Sequence, residues 1–318
     1  MRDQFVERLS QLAECDPRIV LITGDLGFGV LDEFRQRFPR QFINAGVAEQ
    51  NMMGIATGMA LEGHVVFTYS IANFVFMRCL EQIRNDAAYH NCNVNVVCIG
   101  GGFSYGPLGI SHHATEDLAV MRALPGVSVI SPCDLWEAAE ATEAIARTSG
   151  VSYLRLDKSA AEVEPEPHER FRLGTARQIR EGQDVTLMVT GGIATEALAA
   201  AERLSDLGIR ARVVSLHTIK PLDANCIRAA AEETEGIVTI EEHSVYGGLG
   251  SAVAETLLDH GVQPRGFARV ALRDGFSSIV GSQQYLRQRY GLDAEAITRV
   301  TLEVIQQARG TTSQRFAA

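Results

Sequence analysis

The chain has 318 residues, of which 46% are hydrophobic and 21% charged, and it carries a formal net charge of −10. That length suits two domains of roughly 150 residues each. The acidic balance and the lack of any Lys/Arg run exclude nucleic acid as a natural partner, and no stretch approaches the roughly 18 unbroken apolar residues of a membrane span.

The first segment, MRDQFVERLSQLAECDPRIV, mixes charges through its length and has no apolar signal core, which points to a cytoplasmic protein. RIVLITGD then reads as a strand entering a turn, and QFINAG as a second strand. VAEQNMMGIATGMALEG follows with a helical pattern. VVFTYS, NVNVVCIG, VSVISP and VSYLRL are further strands, separated by the helical stretches FMRCLEQIRNDAAYH, TEDLAVMRAL and DLWEAAEATEAIAR. Strands alternating with helices predict an α/β fold, a mostly parallel sheet covered by helices. SAAEVEPEPHERFRLGTARQIREG, with two prolines and no long apolar run, breaks the rhythm. The pattern restarts with DVTLMVTGG, IATEALAAAERLSDLG, IRARVVSLH, GIVTIEEH, GLGSAVAETLLDHG and FARVALRD. The expected organisation is a first domain over residues 1–165, a linker over 166–183 and a second α/β domain over 184–318. The six cysteines form no CxxC pair, which fits free thiols in a reducing compartment.

Four stretches invite chemistry. Glu49 lies where an apolar run becomes a small-residue helix. An acid there serves the first turn of a helix by its charge alone. Yet Gly54 and Gly58 are spaced to let another backbone approach, so the carboxylate is expected beside a close-packed seam and partly desolvated. The second stretch is GGGFSYGPLGISHHATEDL (100–118), where glycines follow a strand end and His112 and His113 precede a helix. Ligands of open α/β sheets bind beyond the carboxyl ends of strands, and a histidine there can hydrogen-bond a polar substrate. No third metal ligand stands at a familiar spacing. The third stretch holds Tyr69, Phe74 and Phe76 after a strand, either as core or as a platform for a flat heterocycle. The fourth is YLRLDK, whose Arg155 and Lys158 are either solvated charges or an anion site. In the second half, YGGLGSA holds Gly248 and Gly250 in a partial dinucleotide fingerprint, which leaves an NAD-binding oxidoreductase as a remote alternative.

GVAEQNMMGIATGMALEG, FTYS, EQIRNDAA and GISHHATEDLAVMRALPGVSVISPCD together resemble the pyrimidine-binding domain of the transketolase family, densely over residues 20–158, and the second half resembles that family's C-terminal domain. The resemblance implies a thiamine-diphosphate enzyme that transfers a two-carbon ketol unit from a ketose to an aldose. It matches Glu49 to the glutamate that contacts N1′ of the cofactor's aminopyrimidine, which assists removal of a proton from the thiazolium carbon. It matches Phe74, with Tyr69 and Phe76 beside it, to the aromatics around the pyrimidine. His112 matches a histidine that reaches substrate hydroxyls, with His113 next to it, and Lys158 with Arg155 falls where relatives bind the substrate phosphate.

The family's diphosphate domain is marked by GDG, and this sequence contains no GDG. The resemblance therefore implies a split enzyme. A partner chain would carry the diphosphate domain and most ligands of a divalent metal, magnesium or calcium, and two copies of each chain would form a heterotetramer. Leu108 stands where many relatives have an acid, and Lys158 where they have arginine, which points to a modified sugar. Three alternatives stay open: an activity like that of 1-deoxyxylulose 5-phosphate synthase, a 2-oxo acid dehydrogenase β subunit, and a non-catalytic subunit.

Overall fold

The computed structural model describes residues 1–316, with side chains described through residue 310. The first sheet contains β1 (Ile19–Thr23), β2 (Phe42–Asn44), β3 (Val65–Ile71), β4 (Val94–Ile99), β5 (Val127–Ile130) and β6 (Val151–Leu156). The second contains β7 (Arg177–Arg180), β8 (Val185–Val189), β9 (Ala211–Ser215), β11 (Ile237–Ser244) and β12 (Phe267–Leu272). A short strand, β10 (Thr218–Lys220), leaves the second half and completes the first sheet, whose order is β10-β5-β6-β4-β3-β1-β2. The second sheet runs β12-β11-β8-β9-β7. All pairings are parallel except those of β10 with β5 and β7 with β9.

The unbroken apolar runs of the sequence have their reason here. β1, β4, β6 and β8 are buried along their whole lengths, as strands covered by helices on both faces must be. The helix Arg2–Cys15 seats Phe5 and Leu9 against Phe67 and Leu21 on one face. The helix Glu49–Leu61 seats Met52, Met53 and Ala56 on the other, against Val66 and Val96.

Three features depart from the pattern expected from sequence. β7 and β10 were hidden, the first inside the linker. RQIR has one apolar residue, and an edge strand of four residues gives too little alternation to register. The stretch FMRCLEQIRNDAAYH is not one helix. It divides into a helix Ala72–Arg78, a short turn Leu80–Gln82 and a π-helical turn Ile83–Ala88. Such wide turns adjust which way flanking side chains point.

The two halves are joined by buried charge. Arg177 lies between Asp134 and Glu137 of the first half and also holds Glu169 at 2.9 Å. Glu242 of β11 accepts from the Phe103 backbone at 2.5 Å and from Gln283 at 2.9 Å, and it pairs with Arg287. No helix among the described residues is long and apolar enough to cross a membrane.

Candidate active site

The carboxyl ends of β3 and β4 feed two segments that lie against each other, the helix Ala72–Arg78 and the glycine-rich loop after Ile99. Asn73 pins them together. Its side-chain amide donates to the carbonyls of Ile110 at 3.2 Å and His113 at 3.0 Å. This contact fixes the histidine loop beside Phe74.

Glu49 opens its helix after Gly46, whose φ of +73° makes the turn that glycine alone adopts without strain. Its side chain is 6% exposed and does not cap the helix; Arg78 donates to Oε1 at 2.7 Å. The partner of the carboxylate is thus a guanidinium, where the sequence suggested only an apolar seam. Arg78 in turn lies 4.2 Å from the centre of the Phe74 ring. Phe74 meets His112 edge-on at 5.2 Å, and His112 meets Tyr105 at 6.0 Å. Lys158 stands 4.0 Å above the Tyr105 ring. The run Glu49, Arg78, Phe74, His112, Tyr105 and Lys158 is continuous, and its members come from four separate stretches of chain.

His112 Nδ1 pairs with Ser111 Oγ at 2.9 Å, and Nε2 has no hydrogen-bond partner among the described residues. Burial, then His113 and Arg78, lowers its pKa below the usual histidine value, so the ring is neutral at neutral pH.

Four expected site residues lie elsewhere. Tyr69 is 2% exposed and stacks on Phe5, in the core under the N-terminal helix. Phe76 is also buried, packed with Met52 and Val75. On a helix, residues two apart face opposite ways, so Phe74 and Phe76 cannot share a surface. Arg155 is fully buried: Nε lies 3.1 Å from Asp117, and NH2 donates to the carbonyls of Ala114 and Glu242. Its charge serves the domain junction, not an exposed anion site. His113 is buried too, with Nε2 at 3.0 Å from the Gly106 carbonyl and Nδ1 at 2.7 Å from Ser277 Oγ. A carbonyl only accepts, so Nε2 donates to it, and the serine hydroxyl takes the other nitrogen, which leaves none for a substrate.

The glycines of the loop have a related reason. A Cβ at Gly101 would stand 2.2 Å from Arg155 Nε, and one at Gly102 would stand 2.4 Å from Glu242 Oε1. They clear space for the buried charges of the chain itself. Gly54 and Gly58 are the opposite case, exposed with nothing within 4 Å of an added Cβ, so no backbone among the described residues fills the seam.

Two rival ligand sites are already filled. The N–H groups of Leu249 and Gly250, which a dinucleotide phosphate would need, donate to Glu241 at 2.7 and 2.8 Å. Cys133, Asp134 and Glu137 form a cluster of metal-ligand types, but Arg177 is the cation between its acids.

Sequence reasoning missed Arg78, Tyr105 and Asn73. Arg78 was findable, since it stands four residues after Phe74 on the same helix face. Tyr105 and Asn73 carried no such signal.

Residues 1–163 match the family described as transketolase, pyrimidine binding domain, and residues 174–297 match transketolase, C-terminal domain. The chain is 36% identical to one of the subunits of the apulose-4-phosphate transketolase of Phocaeicola vulgatus, over 96% of this chain and 97% of that one. It is 38% identical to the 6-deoxy-6-sulfo-D-fructose transketolase subunit SqwH of Clostridium sp. strain MSTE9, over 96% and 94%. Among solved structures it is similar to a split-gene transketolase described as an inactive beta4 tetramer, with a TM-score of 0.86, 35% identity and coverage of 96% and 98%. The fold, the site at the carboxyl ends of the first sheet and these similarities lead to one conclusion: this chain belongs to the transketolase family, whose cofactor is thiamine diphosphate.

Proposed function

We propose that the chain is the catalytic C-terminal subunit of a two-chain transketolase, and that with its partner it moves a two-carbon ketol unit from a ketose to an aldose. The observation that carries this reading is the run from Glu49 to Lys158. It gathers a buried carboxylate, a half-buried aromatic ring, a neutral histidine and an exposed cation at one edge of the sheet.

The residues present fit the pyrimidine end of the cofactor. Arg78 already places a planar, N–H-bearing cation on the Glu49 carboxylate and beside the Phe74 ring, so the place accepts a flat nitrogen-rich group. Glu49 and Phe74 would hold the pyrimidine. When bound, thiamine diphosphate supplies the electron sink for cleaving and re-forming a carbon–carbon bond beside a carbonyl. The chain's own residues do the rest. Glu49 holds a proton at the pyrimidine edge. His112 Nε2 hydrogen-bonds a substrate hydroxyl, in keeping with its neutral ring. Lys158, fixed on Tyr105, attracts the anionic end of the sugar. The diphosphate and its divalent metal fall to a partner chain.

A partner has a face to fit. Val47 (74% exposed), Leu61 (61%) and Met77 (64%) flank the Glu49 helix, whose Gly54 and Gly58 are open to approach. Exposed apolar residues around a small-residue helix suit a permanent interface. The substrate is read as a modified sugar. Leu108 is 55% exposed in the histidine loop and brings no charge to it, and the two curated relatives are named for apulose 4-phosphate and a sulfo-sugar.

The test is the native mass of the chain purified from its own source, with thiamine diphosphate quantified in the same sample. A heterotetramer carrying about two cofactors is expected. A homodimer free of cofactor, in a preparation that retained other labile complexes, overturns the reading.

A further inference from the structure

Arg78 makes two contacts at once. It donates to Glu49 at 2.7 Å and lies over Phe74 at 4.2 Å. These are the two side chains assigned above to the cofactor's pyrimidine, and the inference rests on that reading. The two ends of the pair differ in exposure: Glu49 is 6% exposed and Arg78 49%. A buried carboxylate without a partner is costly, so something must satisfy Glu49 when no cofactor is present. A half-exposed arginine is suited to that task. It can leave cheaply, because water recovers its charge.

We propose that Arg78 is an internal occupant of the pyrimidine place. Its guanidinium is planar, cationic and edged with N–H groups, and it rests on an aromatic face as a heterocycle does. It keeps Glu49 paired and Phe74 covered in the absence of cofactor, then moves aside when the cofactor ring arrives. Arg78 is thus a positioning residue, and its contacts compete with the ring for the same two partners.

Competition has a signature that a purely structural arginine lacks. Removing Arg78 destabilises the chain without cofactor but strengthens cofactor binding. A half-exposed ion pair and a half-exposed cation–π contact together correspond to roughly fivefold to thirtyfold in affinity.

The experiment uses the assembled two-chain complex. Thiamine diphosphate with magnesium is titrated by calorimetry into wild type, Arg78→Met and Arg78→Lys, and the melting temperature of each is read with and without cofactor. The expected result is a lower Kd for Arg78→Met, a smaller gain for Arg78→Lys, which keeps a cation but not the planar fork, and a melting temperature lowered only in the cofactor-free samples. Equal or weaker binding by both variants, with wild type binding normally, overturns the proposal and makes Arg78 a standing contact of the loaded site. Failure of the assembled wild type to bind the cofactor overturns the assignment of Glu49 and Phe74 as well, and so separates the two readings.

Discussion

The helices Glu49–Leu61 and Leu249–Asp259 start alike and end in opposite roles. Each follows a strand through a glycine with a positive φ, Gly46 at +73° and Gly247 at +74°. Each meets a buried glutamate at its first turn. Glu241 turns back from β11 onto the N–H groups of Leu249 and Gly250, and a Cβ at Gly248 would stand 2.0 Å from its carboxylate. The acid closes that helix end, and no room remains for a ligand. Glu49 belongs to its helix yet bonds none of its N–H groups; its hydrogen bond goes sideways to Arg78, at the edge of the fold. The same residue type on the same kind of turn becomes a cap or the partner of a neighbouring side chain according to where its hydrogen bonds go.

Neutralising each acid in turn should split activity from stability. Glu49→Gln keeps size and hydrogen-bonding capacity but loses the carboxylate. In the reconstituted complex turnover should fall by about 10²–10⁴, the usual weight of a positioned acid or base. Melting temperature should change little, because the lost ion pair is half exposed. Steady-state kinetics beside a thermal melt reads both. Unchanged turnover would leave Glu49 as a helix-opening acid and erase the contrast.

Glu241→Ala should give the mirror image. Two buried N–H donors lose their acceptor, at a cost of about 2–4 kcal/mol in a denaturant titration. Turnover per assembled complex should stay at the wild-type level. A drop as large as that of Glu49→Gln in well-folded protein would mean that the second helix end also takes part in the reaction.

The contrast was only half legible in the sequence. Buried parallel strands need unbroken apolar runs, and these located both sheets and the Glu49 helix. The transketolase resemblance drew attention to Glu49, Phe74 and His112, which the structure brings into one run. Sequence spacing could not tell Phe74 from Tyr69 and Phe76, because burial depends on which face meets the neighbouring helix. Nor could it tell Lys158 from Arg155. Both end the same strand segment, but Arg155 points into the junction with β11, a long-range contact with no local trace. The glycines at 101 and 102 looked like a ligand cradle for the same reason. The charges they make room for come from Arg155 and Glu242, 54 and 140 residues further along.

His112 sharpens the comparison on the open side. Its lowered pKa means that the folded protein takes up this proton only below the usual histidine value, near 6.5. Activity that needs the neutral ring is then full at neutral pH and declines as pH falls through the lowered value. His112→Ala should reduce kcat/KM by about 10- to 100-fold, as for a lost hydrogen bond to a buried polar group. It should also remove that acid limb from the pH profile. An acid limb of the same position and depth in the variant would assign it to another group.

Lys158 marks the outer end of the open site, and its effect should be the smallest. It is exposed, so its attraction for an anion is screened and falls with salt. Its contact with Tyr105 holds the ammonium in place without burying it. Lys158→Ala should therefore raise KM for an anionic sugar by about three- to tenfold while kcat stays near wild type, the mark of binding lost equally from ground and transition states. The same substitution should leave KM for an uncharged ketose unchanged. The two substrates make the test specific, because damage to Tyr105 or to the loop would weaken both. If KM rises for the neutral sugar as well, Lys158 acts through the packing of Tyr105 against His112, and the anion end of the substrate must be held by the partner chain.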